Sequence, residues 1–137
     1  MTVQTTTHLN FRAQAREALE FYRFVFEGDL SIATYGDLGT TQDAAQAEQV
    51  IWGQVTSDQG FRITAYDVQP EKPWNPGENA VYVSVRGTSP EEITAYWEKL
   101  CVGASVLQPL GASAWSPLYG MLSDRFGVTS VMDVMVP

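Results

Sequence analysis

The chain has one cysteine and one histidine in 137 residues, and its eight Lys and Arg are outnumbered by sixteen Asp and Glu. A single thiol, Cys101, excludes an internal disulfide and fits a reducing compartment. A lone imidazole, His8, excludes any histidine cluster that would hold a metal ion by itself. The formal charge of −8, with the basic residues scattered, argues against nucleic acid, whose phosphates call for clustered Lys and Arg. It equally disfavours anionic membrane surfaces. No apolar run approaches the roughly 20 residues that cross a bilayer. The opening Met-Thr-Val-Gln-Thr-Thr-Thr has neither a basic start nor an apolar core, so no signal peptide is visible. These absences lead us to expect a cytoplasmic protein with no membrane or nucleic-acid partner. Also missing are a Ser-His-Asp set, a phosphate-binding glycine loop, a CxxC pair and an HExxH motif.

What the chain does have is hydrophobic content of 45%, four Trp, six Tyr and six Phe, enough for one ordinary core. It also carries the same unit twice, offset by about seventy-five residues. The first copy runs His8-Leu9-Asn10-Phe11, a polar stretch, then Ala18-Leu19-Glu20-Phe21-Tyr22-Arg23-Phe24-Val25-Phe26. The second runs Val81-Tyr82-Val83-Ser84-Val85, then Ser89-Pro90, then Ile93-Thr94-Ala95-Tyr96-Trp97-Glu98-Lys99-Leu100-Cys101. Internal duplication is the first thing to look for, because it determines the architecture.

Alternation of Leu9 and Phe11 with His8 and Asn10 predicts a half-buried strand. Apolar residues at helical spacing predict a helix over 14–26, stopped at Gly28. Leu30–Tyr35, Val50–Thr56 and Phe61–Val68 read as strands, with a hairpin turn at 57–60. Residues 36–48 are a long loop or a short exposed helix. The three prolines and one glycine of 69–79 mark a linker. In the second half, 80–86 is a strand with Val81, Val83 and Val85 on one face. Ser89-Pro90-Glu91-Glu92 starts a helix that runs to about Cys101. Strands follow at 105–108, 118–122 and 128–135, with a turn at 124–127. Each half is thus strand, helix and three strands: module 1 over about 7–68 and module 2 over about 80–136.

The fold class expected is α+β: two βαβββ modules forming curved mixed sheets around a cleft, helices on the outer face. His8, Asn10, Trp52, Gln54, Thr56, Tyr82 and Ser84 fall on the faces opposite the helices. Trp52, Tyr82 and Trp115 are candidates for an aromatic wall, with Gln54, Thr56 and Ser84 as its polar groups. Cys101 reads as a small buried hydrophobe at a helix end, and Asp124 and Arg125 as structural turn residues.

The duplicated βαβββ unit resembles the vicinal-oxygen-chelate superfamily of glyoxalases, bleomycin-resistance proteins and extradiol dioxygenases, and within it the PhnB-like branch. The resemblance rests on Leu9-Asn10-Phe11 with Glu17-Ala18-Leu19-Glu20-Phe21-Tyr22. It rests further on Trp115-Ser116-Pro117-Leu118-Tyr119-Gly120 and on Ser123-Asp124-Arg125-Phe126-Gly127-Val128, and it spans nearly the whole chain. It implies a homodimer and a divalent metal held in the cleft by His, Gln or Glu from both modules. The ligand positions it implies fall near His8, at Trp52, near Val81 or Tyr82, and near Met132. A catalytic metal needs about three protein ligands, and only His8 is a candidate. No metal and no other cofactor is therefore expected. Members of the branch have carried a demethylubiquinone methyltransferase label, but this chain has no glycine-rich strand–helix turn for such a cofactor. The expectation is a small molecule sequestered in the cleft, lined by the residues above with Met132. The alternative is a metal-dependent lyase, isomerase or dioxygenase with atypical ligands that include His8.

Overall fold

The computed structural model describes residues 2–39, 41 and 43–136. Among them are two four-stranded mixed sheets and three helices. The chain divides into two compact units at the Pro76–Gly77 junction.

In the first unit, β1 (Thr7–Phe11) leads into α1 (Ala15–Phe26) and β2 (Asp29–Thr34). The four-residue helix α2 (Ala44–Ala47) precedes the hairpin of β3 (Val50–Thr56) and β4 (Arg62–Asp67). Thr40 and Gln42, within the segment read as loop or short helix, lie outside the described residues. The strand order is β1-β4-β3-β2, with β1 parallel to β4 and the other pairs antiparallel. Helix α1 buries Ala15, Ala18, Leu19, Tyr22, Val25 and Phe26, one stripe at three- and four-residue steps, against Val55, Ile63 and Ala65. Phe26 stacks on Phe61, ring centroids 3.7 Å apart.

The helix ends differently from the expectation. Glu27, not Gly28, takes the left-handed conformation (φ 57°) and returns its N–H to the Arg23 carbonyl at 2.8 Å. Gly28 answers a different need, since a Cβ there would lie 2.5 Å from the Thr56 carbonyl oxygen of β3.

The second unit repeats the plan with β5 (Val83–Gly87), α3 (Pro90–Leu100), β6 (Ser105–Gly111), β7 (Tyr119–Ser123) and β8 (Thr129–Val134), in the order β5-β8-β7-β6. Ser89 caps α3, accepting the Glu92 N–H at 3.2 Å, with Pro90 at the first helical position. Ile93, Tyr96, Trp97 and Leu100 form its buried face. Strand β5 starts at Val83. Val81 and Tyr82 precede it, and Val81 is exposed rather than packed beneath the helix.

Register makes the duplication concrete. Gly53↔Ala65 in the first sheet corresponds to Gly120↔Met132 in the second. Both glycines lie under their own helix: a Cβ on Gly53 would meet Leu19, and one on Gly120 would meet the Trp97 ring at 2.8–2.9 Å. In each unit the residue after the last strand donates to the end of the first strand: Val68 N–H to the Phe11 carbonyl, Met135 N–H to the Gly87 carbonyl, both 2.7 Å. A hydroxyl then binds the last residue of the closing strand, Tyr35 on the Asp67 carbonyl (2.6 Å) and Ser116 on the Val134 carbonyl (2.8 Å).

Candidate functional site

Strand alternation sends every second side chain to the face away from the helix. In the first sheet, Gly53, Val55, Ile63 and Ala65 are buried against α1. Trp52, Gln54 and Thr56 therefore point the other way, as do His8 and Asn10. One cross-strand row holds His8, Thr64, Gln54 and Ser31; a second begins with Asn10 and Tyr66. The five first-module candidates thus share one face, and the strands also bring Thr64 and Tyr66 to it.

His8 Nδ1 and Thr64 Oγ1 are hydrogen-bonded at 2.8 Å. The Thr64 hydroxyl also lies 3.4 Å from the Thr7 carbonyl oxygen, and which of His8 Nδ1 and Thr64 Oγ1 donates follows the imidazole tautomer. The Tyr66 ring is tilted against His8 with centroids 5.4 Å apart. Trp52 is 43% exposed at this surface. Trp74 donates its Nε1–H to the Asn10 carbonyl at 3.1 Å. Beneath, Asp67 is buried on the α1 side, where its two oxygens accept the N–H groups of Ala15 and Val50, each at 2.9 Å. It therefore supports the start of α1, which has no side-chain cap of its own.

In the second sheet Met132 lies opposite Gly120, the glycine under Trp97, and opposite Val85. It is fully buried on the α3 side and does not line the open face. Its neighbour Asp133 takes that face. Ser84 lies there as expected, and Arg86 follows two residues on; Arg86 Nε donates to Asp133 Oδ1 at 3.0 Å. Tyr82 precedes the strand, and its hydroxyl donates to Asn79 Oδ1 at 2.8 Å. Trp115, in the β6–β7 connection, meets Tyr119 edge-on at 5.1 Å. With Leu107, Gln108, Gly111 and Met121 these two aromatics line a pocket of about 450 Å³.

Arg86, Thr64 and Tyr66 were not among the residues singled out from the sequence, and Tyr119 entered only within the Trp115–Gly120 motif. Arg86 was within reach, since it is in phase with Ser84. The Asp133 contact depends on a parallel pairing 47 residues away, which no local pattern specifies.

Elsewhere, Asp124 accepts the Phe126 and Val128 N–H groups at 2.8 and 3.1 Å, and Arg125 Nε donates to the Val102 carbonyl at 3.2 Å. Cys101 is half-buried at the end of α3, and burial together with the nearby Glu98 charge pushes its thiol pKa up. Among the described residues no three His, Cys, Asp or Glu side chains come together as a metal-binding group. Nor is any described helix long and apolar enough to cross a membrane.

Two mixed sheets of this topology, each backed by its own helix, define the glyoxalase/bleomycin resistance/dioxygenase fold. A domain of that description from Frankia superimposes with a TM-score of 0.69 over 99% of both chains at 10% identity. The family model described as 3-demethylubiquinone-9 3-methyltransferase matches residues 3–131, and the chain belongs to that family. The protein PA1353 from Pseudomonas aeruginosa is similar in structure, with a TM-score of 0.85 and 27% identity over 98% of both chains. A PhnB protein from Bacillus cereus gives a TM-score of 0.74 and 27% identity, over 96% of this chain and 99% of that one. No curated protein matches the chain.

Proposed function

We propose that this protein binds a small organic molecule on the sheet faces turned away from its helices, without a catalytic metal. The observation that carries this reading is the pocket of about 450 Å³ where Trp115, Tyr119 and Met121 meet Gln108. Ligand sites are typically of this size, mostly apolar with a few placed polar groups. The first module's His8, Gln54, Asn10 and Trp52 supply a second surface of the same mixed character. Support for the metal-free part comes from the side chains themselves. His8 is the one histidine of the chain, the positions that the resemblance assigns to further ligands carry Trp52 and Val81 or Tyr82, none of them a good donor for a hard divalent ion, and Asp133, the carboxylate that takes the open face beside Met132, already holds Arg86.

Methyl transfer, the activity in the family's description, forms no part of the proposal. β1 is followed by Arg12-Ala13-Gln14 and β5 by Thr88-Ser89. Neither is the glycine-rich strand–helix turn that holds a nucleotide-type cofactor. We further infer that the protein is a homodimer. Edge strand β6 leaves Val106 and Leu107 exposed, and an uncovered apolar edge favours pairing.

Thermal-shift screening of a small-molecule panel, with metal analysis of the purified protein, tests the reading. We expect at least one compound to raise the melting temperature, with the rise reduced by Trp115→Ala, and no change on adding a chelator. A stoichiometric divalent ion that is lost in His8→Ala would sink the metal-free reading and favour a lyase, isomerase or dioxygenase.

A further inference from the structure

On the open face of the second sheet a single cross-strand row spans all four strands. Arg86 on β5 lies opposite Asp133 on β8, Asp133 opposite Tyr119 on β7, and Tyr119 opposite Gly111 on β6. The row begins in charge and ends in the aromatic pocket. Asp133 is buried and holds Arg86 through Nε alone, while the Arg86 side chain remains 54% exposed. The terminal amino groups of the guanidinium are thereby left as oriented donors at the surface of the sheet. A planar fork of this kind matches a carboxylate.

The fold does not require this pair. The corresponding positions of the first module, by register, are Asn10 and Tyr66, which carry no charge pair. As an ion pair it would contribute little to stability, since one partner is well exposed. The ion pair is thus an addition of this module, placed in line with the pocket. Neighbouring strands lie about 4.8 Å apart, so Arg86 and Tyr119, two strands apart, are separated by roughly 10 Å of sheet. That is the length of an aromatic ring joined to a carboxylate by a short chain.

We propose that this face selects aromatic carboxylates, with the ring against Trp115 and Tyr119 and the carboxylate on Arg86. The inference rests on the ligand-binding reading above and names its ligand class. The test is calorimetric titration with four probes: 4-phenylbutyrate, its amide, butyrate without the ring, and 4-phenylbutylamine. The acid should bind at least about tenfold more tightly than each of the others, as expected for one charge-assisted bond and one ring contact. The double variant Arg86→Gln/Asp133→Asn, which leaves no unpaired buried carboxylate, should bind acid and amide alike. Trp115→Ala should weaken both. Equal binding of acid and amide by the unaltered protein, or preference for the amine, overturns the inference and leaves the binding reading standing. If neither these probes nor any compound of a wider panel binds, both fall.

Discussion

A glycine beneath a helix is a position where one methyl group changes the packing. A Cβ on Gly120 would lie 2.8–2.9 Å from the Trp97 ring and 3.1 Å from the Leu110 Cα. A buried indole has little room to yield, so Gly120→Ala should destabilise the protein by about 1–3 kcal/mol, measured by urea unfolding. An unchanged midpoint would show that α3 can lift off the sheet at no cost. Asp67 is the second sensitive residue. Its carboxylate satisfies two buried N–H groups, and Asp67→Asn places an amide donor against one of them. We expect a loss of about 1–3 kcal/mol in the same assay. Cys101 gives a chemical readout. The raised pKa lowers the thiolate fraction below that of an ordinary thiol at the same pH, so alkylation by iodoacetamide, followed by mass, should be slower than for an exposed model thiol. The rate should rise with pH and level off only above the usual thiol pKa, and unfolding in urea should abolish the difference. The sign is that of a neutral form favoured by folding: the stabilisation is present at low pH and is lost as pH rises through the folded-state pKa.

At the scale of elements, the two long helices, α1 and α3, begin by different means. Ser89 caps α3 locally, whereas α1 borrows Asp67 from β4. Ser89→Ala should therefore cost about 1 kcal/mol, a local effect, without exposing a buried charge. This difference also explains what was legible in the chain. Period-two and helical spacing, the Ser-Pro-Glu-Glu start and the proline-rich segment describe local preferences, and β1, α1, β3, β4 and α3 follow from them closely. The start of β5 does not, because Val81 alternates correctly but has no strand partner; pairing begins only at Val83↔Ser130. The face of Met132 was equally hidden. Val131-Met132-Asp133-Val134-Met135 is apolar at both phases, and only the Gly120 register, under Trp97, decides which phase turns inward. Of the candidate site, the first-module face was readable from alternation. The Arg86–Asp133–Tyr119 row was not, because it is assembled by pairing across three separate strands.

For the whole molecule, the charge of −8 sets a field that repels anions, against which the Arg86 site would have to act. The two effects differ in range. Long-range repulsion is screened as the Debye length falls from about 30 Å at 0.01 M salt to about 8 Å at 0.15 M. A short hydrogen-bonded contact with an oriented guanidinium is screened much less. If aromatic carboxylates bind as proposed, their affinity should hold or rise between those salt concentrations, whereas attraction to a diffuse basic surface would fall steeply. Titrating 4-phenylbutyrate by calorimetry at the two concentrations separates these cases. A steep loss of affinity with salt would mean that the anion is drawn by long-range attraction, which the scattered basic residues of this chain do not favour, and would remove Arg86 as the recognising group.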